Sequence, residues 1–393
     1  MQERSNRAFY FVLLLGVISL FADMTYEAAR SITGPYLAIL GASATVVGVV
    51  AGLGELVGYG LRLVAGIISD RTGKYWLITI TGYAVNLLAV PALALAGNWE
   101  VASCLIVAER FGKAVRTPAR DAMLSHARQG LGSGRVFGLH EAMDQIGAMT
   151  GPLVVAGVLA WKGSYRYGFA VLAVPAILAL AVLVAARIIF PQPRDMEPSF
   201  HDGKQADFDA NFWVYLAAVA FVALGFFDYP LAAFHMKVSG FFADRWIPVV
   251  YACAMGVDAL SALVFGRMYD RKGIFVLMVM AVLSAGCASL VFLGGPMMLV
   301  SGMMLWGVAM GAQESVIRAV VADIVPSDRR ATGYGMFNAG FGLAWFMGSA
   351  AMGMLYDRSL IGLAVFSGAA QLLSVPLFYA SSKSLNQNRR VKA

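Results

Sequence analysis

The chain has 393 residues, of which 59% are hydrophobic and 13% charged, against about 45–50% and about 25% in soluble domains. That balance excludes a soluble globular protein. The net charge of +7 collects in short stretches between apolar runs, so it marks one face of a membrane and does not imply nucleic-acid binding.

Apolar runs of roughly 20 residues, long enough to cross a hydrocarbon core of ~30 Å, recur from end to end. They do not alternate over about 10 residues as barrel strands do. The spans are therefore helices that satisfy their own backbone polar groups. In chain order the expected spans are 8–40, 45–69, 75–96, 99–127, 135–160 and 166–190, then 211–240, 246–269, 274–294, 296–325, 331–357 and 359–381. The first follows Arg4 and Arg7 and is too long for the apolar core of a signal peptide, so it is expected to be retained.

The segments "SDRTGK", "HARQGLGSGR", "YDRKG", "SDRR" and "NRRVKA" fall on one side if the chain threads alternately. The opposite loops "LGAS", "GNWE" and "LGGP" are nearly free of Lys and Arg, while "WKGSYRYG" and "MKVSGFFADRW" depart from that pattern. By the positive-inside rule both termini are expected in the cytoplasm, with the chain multi-pass in the cell membrane. Cys104, Cys253 and Cys287 are odd in number and lie within spans, which argues for packed small side chains and against disulfides.

Residues 191–210, "PQPRDMEPSFHDGKQADFDA", are the longest polar stretch and divide the spans into 1–190 and 211–393, six in each half. The halves repeat one another. "GIISDRTGK" (66–74) returns as "GRMYDRKG" (266–273), so Gly66, Asp70, Arg71 and Gly73 match Gly266, Asp270, Arg271 and Gly273. "FADMTY" aligns with "GFFDYP", which sets Asp23 opposite Asp228, and Arg116 and Arg120 fall near Glu314 and Arg318. A duplicated helical membrane protein suggests a transporter with its site between the repeats.

The stretch "GIISDRTGK" resembles the major facilitator superfamily signature Gly-x-x-x-Asp-Arg-x-Gly-Lys/Arg between helices two and three, and the likeness extends over essentially the whole chain. It implies the all-α fold of that superfamily, twelve transmembrane helices in two pseudo-symmetric six-helix bundles. It also implies a cytoplasmic latch, in which Asp70 pairs with basic groups or a helix N-terminus, Gly66 permits close approach, and Arg71 and Lys74 join the same network. The other reading is that these charges only mark the cytoplasmic side. In the second copy Ile274 replaces the final basic residue, which implies a weaker latch. "GAMTGPLVVAG" is similar to the superfamily's antiporter motif at Gly147, Gly151 and Pro152, although Val155-Ala156 stand where that motif has two glycines. The likeness points towards export, and helix packing explains the two glycines equally well. The helix-four motif is met by Arg110 but not by Ala114.

At 100° per residue Asp23, Glu27 and Arg30 fall within a sector of about 60° on one helix face. A charge at mid-bilayer costs about 2.5–3.5 kcal/mol on the translocon scale, so this face must meet a wet cavity or the opposing half. The superfamily's cavity is lined by helices one, four, seven and ten. Here those helices carry Asp23, Glu27 and Arg30; Glu109, Arg110 and Lys113; Asp228 and His235; Glu314 and Arg318. Glu141 and Asp144 add to the set from helix five. Two carboxylates one turn apart in a low-dielectric cavity do not both ionise cheaply, so Asp23 or Glu27 is the expected proton carrier. The alternative is a network of structural ion pairs, Glu27–Arg30 and Glu314–Arg318. Glu55 and Asp258 are read as buried pairs, with gating groups as the alternative, His235 as a secondary group, and His126 and His201 as solvated.

The leading expectation is a proton-coupled exporter, an antiporter of small organic solutes working by alternating access as a monomer, with no cofactor, no resident metal and no enzymatic activity. Phe21, Tyr26, Phe227, Tyr229, Phe234 and Trp306 offer apolar cavity walls. A second expectation is a divalent metal or other small ion held by Asp23, Glu27, Asp228 and Glu141. An anionic substrate is a further option, given Arg110, Lys113, Arg116 and Arg120, although the last two approach the cytoplasmic end. A membrane sensor without transport is the alternative of a different class.

Overall fold

The computed structural model describes residues 2–126, 133–191, 209–325 and 330–392. Twelve helical rods follow one another in these residues, and no strand occurs among them. Six come from α1 (Gln2–Ile39), α2 (Ala44–Thr72), α3 (Tyr75–Ala92, continued by a 3-10 turn Leu93–Leu95), α4 (Trp99–His126), α5 (Ser133–Lys162), and α6 (Tyr165–Val171) with α7 (Ala173–Ile189). Six more come from α8 (Ala210–Gly225) with α9 (Tyr229–Ser239), α10 (Trp246–Lys272), and α11 (Phe275–Ala285) with α12 (Cys287–Leu293). Next is α13 (Pro296–Ala312), which runs through a π turn (Gln313–Ile317) into α14 (Arg318–Ile324), and then α15 (Arg330–Arg358) and α16 (Leu360–Lys392).

Each rod lies on one of the twelve expected spans. Helix α16 runs on past residue 381 to Lys392 because "SSKSLNQNRRVK" contains neither Gly nor Pro to stop it. Most of the 191–210 segment, together with His201 and the side chain of His126, lies outside the described residues.

Three expected continuous helices are interrupted, and the break between α8 and α9 has the clearest cause. Pro230 sits in the first turn of α9 and has no N–H to offer a carbonyl of the preceding turn. Side chains supply donors in its place. Trp306 Nε1 donates to the Phe227 carbonyl at 3.0 Å, Ser367 Oγ to that of Gly225 at 2.6 Å, and Gln371 Nε2 to that of Val222 at 2.9 Å. A backbone freed inside a membrane protein must find such partners, because the bilayer core has no water to serve them.

The chain forms two compact units. The first comprises Met1–Gly41, Val57–Phe200 and Ala243–Ala252, and the second Ala42–Leu56, His201–Phe242 and Cys253–Ala393. Helices α2 and α10 therefore each give a segment to both. In the first unit α1 packs on α5 and α7, and α3 on α4; in the second α8 packs on α15 and α16.

The duplicated motif folds the same way twice. Gly73 and Gly273 take φ of 63° and 58°, and their N–H groups bond to the carbonyls of Ser69 (2.9 Å) and Tyr269 (2.8 Å). A residue in the left-handed region just past a helix is the position where glycine avoids a Cβ penalty. Asp70, Arg71, Lys74, Asp270 and Arg271 are exposed. Asp70 accepts a hydrogen bond from Tyr75 Oη at 3.2 Å, and among the described residues it makes no ion pair. A Cβ on Gly66 would lie 3.6 Å from Pro118, whereas one on Gly266 would meet nothing within 4 Å.

The three thiols are free, and only Cys287 is buried. Cys104 and Cys253 face outwards, contrary to the expectation that all three pack inside. In a bilayer the outer surface is itself apolar, so a small apolar side chain suits either face.

Candidate functional site

The charged side chains of the first unit meet along α1 and α4. Those helices run antiparallel, and residues of rising number on α1 face residues of falling number on α4. Ser19 Oγ accepts from Arg120 Nη1 at 3.2 Å, the Tyr26 ring lies under Lys113 Nζ at 3.8 Å, and Lys113 Nζ is 3.8 Å from Glu27 Oε1. One turn further, Glu109 Oε2 pairs with Arg110 Nε at 3.3 Å, and its other oxygen accepts Asn86 Nδ2 at 2.7 Å. The α4 contacts at 113, 116 and 120 fall at steps of three and four, which lines them along one helix face.

The two acids of α1 are held differently. Glu27 accepts the hydroxyl of Tyr251 as well as facing Lys113, and Arg30 and Arg110 add further positive charge beside it. Asp23 is buried and accepts the hydroxyl of Tyr26. Among the described residues no basic group lies within ion-pair distance of it. The expected Glu27–Arg30 pairing thus becomes a wider basic surround for Glu27, and Asp23 is left over.

Arg116 is the complement of Asp23. It is 1% exposed, and its Nε and Nη1 have no hydrogen-bond partner. Its guanidinium lies over the Tyr83 ring at 4.2 Å and the Tyr26 ring at 5.6 Å. Ring faces attract a cation but provide no acceptor in its plane.

Helix α5 closes on the same stretch. A Cβ on Gly147 would fall 2.4 Å from the Leu20 carbonyl oxygen and 2.9 Å from Asp23 Cβ. One on Gly151 would fall 2.3 Å from the Met24 carbonyl oxygen. Both contacts are with α1, so the glycines seat α5 directly on the turn that carries Asp23, and Pro152 is buried beside them. One turn before Gly147, Asp144 Oδ1 lies 3.4 Å from His140 Nδ1, and His140 Nε2 is 3.4 Å from Ser19 Oγ. Glu141, by contrast, is exposed.

The second unit is built of rings rather than charges. Asp228, 2% exposed, precedes α9 and accepts Ser349 Oγ at 2.6 Å. Around the helix break Phe226 and Phe227 stack on Trp306 at 5.6 and 6.4 Å. His235 is buried and bonds Tyr356 Oη through Nδ1 at 2.8 Å, with Phe292 against its ring at 5.4 Å. Glu314 is exposed within the π turn, and the side chain of Arg318 lies outside the described residues. Glu55 and Asp258 are both buried.

Sequence reasoning passed over His140, Ser19 and Tyr251, and it set Arg116 down only as a base of the repeat and a candidate anion contact approaching the cytoplasmic end. Arg116 read as a base near a membrane surface, yet its spacing from Lys113 and Arg120 already put it on their face. Tyr251 and Ser19 carried no charge to attract notice. His140 lies four residues before Asp144, a helical neighbour that spacing alone exposes.

The sequence matches the family profile described as Major Facilitator Superfamily over residues 13–349. An uncharacterized protein of Mycobacterium tuberculosis is 46% identical over 95% of this chain and 93% of its own. An uncharacterized MFS-type transporter of Methanocaldococcus jannaschii is 26% identical over 88% of this chain and 89% of its own. The multidrug resistance protein MdtH of Proteus mirabilis is 31% identical over 38% of this chain and 37% of its own. Among solved structures, a bacterial homolog of the human lysosomal transporter Spinster superposes with a TM-score of 0.75 at 15% identity, covering 97% of this chain and 98% of that one. A POT family transporter superposes with a TM-score of 0.76 at 10% identity, covering 95% and 96%.

Proposed function

The chain belongs to the major facilitator superfamily, and on that premise we propose that it is a proton-coupled exporter that exchanges protons for small organic solutes. It works as a monomer in the cell membrane, with both termini in the cytoplasm. Its halves, 1–190 and 211–393, alternate access about the linker 191–210. Asp23 carries the proton. The observation behind this choice is the contrast between the two acids of α1. Glu27 faces Lys113 at 3.8 Å, whereas Asp23 is buried with a tyrosine hydroxyl as its partner. A buried carboxylate without a base is costly as an anion, and a proton or a cationic solute relieves that cost in turn. Competition for one carboxylate is the physical basis of exchange.

Two further features support export. Gly147 and Gly151, two of the three residues similar to an antiporter motif, seat α5 on the turn of α1 that carries Asp23 and Met24. The partial likeness to MdtH, a multidrug resistance protein, points the same way.

The test uses protein reconstituted in liposomes with an internal pH indicator and ethidium as the probe. Ethidium added on one side is expected to drive proton movement in the wild type and none in Asp23→Asn. Ethidium movement that persists unchanged in Asp23→Asn would remove Asp23 from coupling. Proton movement driven by Zn²⁺ and not by ethidium would replace the organic solute with a metal ion.

A further inference from the structure

On the α5 side of Asp23 stands a group of polar side chains that solute binding does not require. His140 is buried, with Ser19 at one ring nitrogen and Asp144 at the other, each at 3.4 Å. Neither His140 Nδ1 nor Asp144 Oδ1 has a hydrogen-bond partner, so the pair is close without being bonded. Asp144 stands one turn before Gly147, whose Cβ would fall 2.9 Å from Asp23 Cβ, so α5 brings it to the turn that carries Asp23. Ser19 in turn takes a bond from Arg120, which is tied at 2.8 Å to Asp121, a half-exposed carboxylate. The chain of groups therefore begins at a buried acid and ends at an accessible one.

Packing explains why these groups are together. Gly147 and Gly151 let α5 approach α1 to backbone contact, and Asp144 and His140 are the residues one and two turns before Gly147. Arg116 and Arg120 keep the neighbourhood electropositive.

We propose that Asp144 and His140 form a relay that moves the proton between Asp23 and the Asp121 end of α4. The inference rests on the reading of Asp23 as the proton carrier. In the release step the O–H bond of the Asp23 carboxyl breaks as one forms on the Asp144 carboxylate. Asp144 then gives that proton to Nδ1 of neutral His140. The imidazolium releases a different proton from Nε2 on the Ser19 side to water at the Asp121 end, which restores every charge, and exchange of the remaining Nδ1 proton to Nε2 through water returns the ring to its starting tautomer. The groups that face the relay are Ser19, Asp23 and Tyr26 from α1, Lys113, Arg116, Arg120 and Asp121 from α4, and Glu141 from α5. Asp144 and His140 act through Asp23, so they position and conduct the proton and do not bind solute.

Infrared spectroscopy of the full-length protein in liposomes, at equilibrium and after a pH jump, tests the relay without any solute. The protonated-carboxyl band that disappears in Asp23→Asn reports the carrier. In Asp144→Asn and His140→Gln its formation after the jump is expected to slow at least tenfold while its final amplitude stays that of the wild type. Asp144→Glu is expected to restore the rate. A structural role would lower the amplitude or leave the rate alone. Unchanged rates in both variants, with the Asp23 band present, would overturn the relay and leave the carrier standing. A wild type with no band that Asp23→Asn removes would overturn the carrier itself, and the relay with it.

Discussion

The two halves of the repeat place an acid at matching positions and bond it through different partners. Asp23 lies on an unbroken α1, with a tyrosine hydroxyl, a lysine that faces the neighbouring acid and a second carboxylate on α5. Asp228 lies where α8 stops and takes a serine hydroxyl, and the helix break beside it holds the stacked rings of Phe226, Phe227 and Trp306. What the copies share is the approach of backbones. Gly147 and Gly151 of α5 meet α1, and Gly348 of α15 meets α8, where a Cβ would fall 2.2 Å from the Leu224 carbonyl oxygen. The close approach of helices is common to both copies, while the groups that bond the matching acids differ.

The largest effects are expected where the shared scaffold is touched. Gly151→Ala and Gly348→Ala each put a methyl group against a carbonyl oxygen on a facing helix, and neither helix can yield without moving its neighbours. Overpacking of this kind costs about 1–3 kcal/mol, and more where backbone meets backbone. Both variants should melt well below the wild type in detergent. Gly266→Ala, with open space around it, should melt with the wild type. If Gly348→Ala were tolerated and Gly151→Ala were not, the close approach would belong to the first copy alone.

The acids come next, and they separate the copies. Asp23→Asn should abolish ethidium-driven proton movement while leaving the melting temperature within a few degrees of the wild type. Asp228→Asn retains an acceptor for Ser349 and should keep proton movement within about twofold. Loss of coupling in Asp228→Asn would mean that the second copy also carries a proton and that the contrast between the copies is one of surroundings only.

How far the sequence could be read follows the same division. The twelve spans and the repeat were legible because apolar length and a nine-residue motif are local signals. The shared glycine turns were legible too, since Gly73 and Gly273 sit in matching loops. The asymmetry of the copies was not. Asp23 and Asp228 align as letters, and only packing shows that one takes a tyrosine hydroxyl and the other a serine hydroxyl. The break at Phe226–Asp228 depends on Trp306, Ser367 and Gln371, donors about 80 to 150 residues away, which no local pattern carries. Arg116 was discounted because a base near a helix end usually reaches water, whereas here Tyr26 and Tyr83 cover it.

The glycine turns offer a smaller test of likeness. Gly73→Ala and Gly273→Ala each force a side chain into the left-handed region at φ of 63° and 58°, which costs about 1–2 kcal/mol for an L-residue. Equal losses of thermal stability are expected, since each loop makes the same bond back to the fourth preceding residue. Unequal losses would show that the exposed charges beside one turn, Lys74 in the first copy or Lys272 in the second, contribute to stability as well.

The smallest effect compares two indole donors. Trp76 Nε1 bonds the Phe190 carbonyl at 2.9 Å at the end of α7, and Trp306 Nε1 bonds the Phe227 carbonyl at 3.0 Å inside the α8–α9 break. Replacing either with Phe removes a hydrogen bond worth about 0.5–1.5 kcal/mol net. The two losses should nonetheless differ. Phe190, 8% exposed, caps the end of α7 and is followed directly by the polar residues of the linker. Phe227 is 1% exposed and lies between two helix ends, so its carbonyl would be orphaned in an apolar surround and carry the desolvation cost as well. Trp306→Phe should therefore lower the melting temperature more than Trp76→Phe. A reversed order would mean that another donor reaches the broken segment, and that the break is held by more than the three side chains that now serve it.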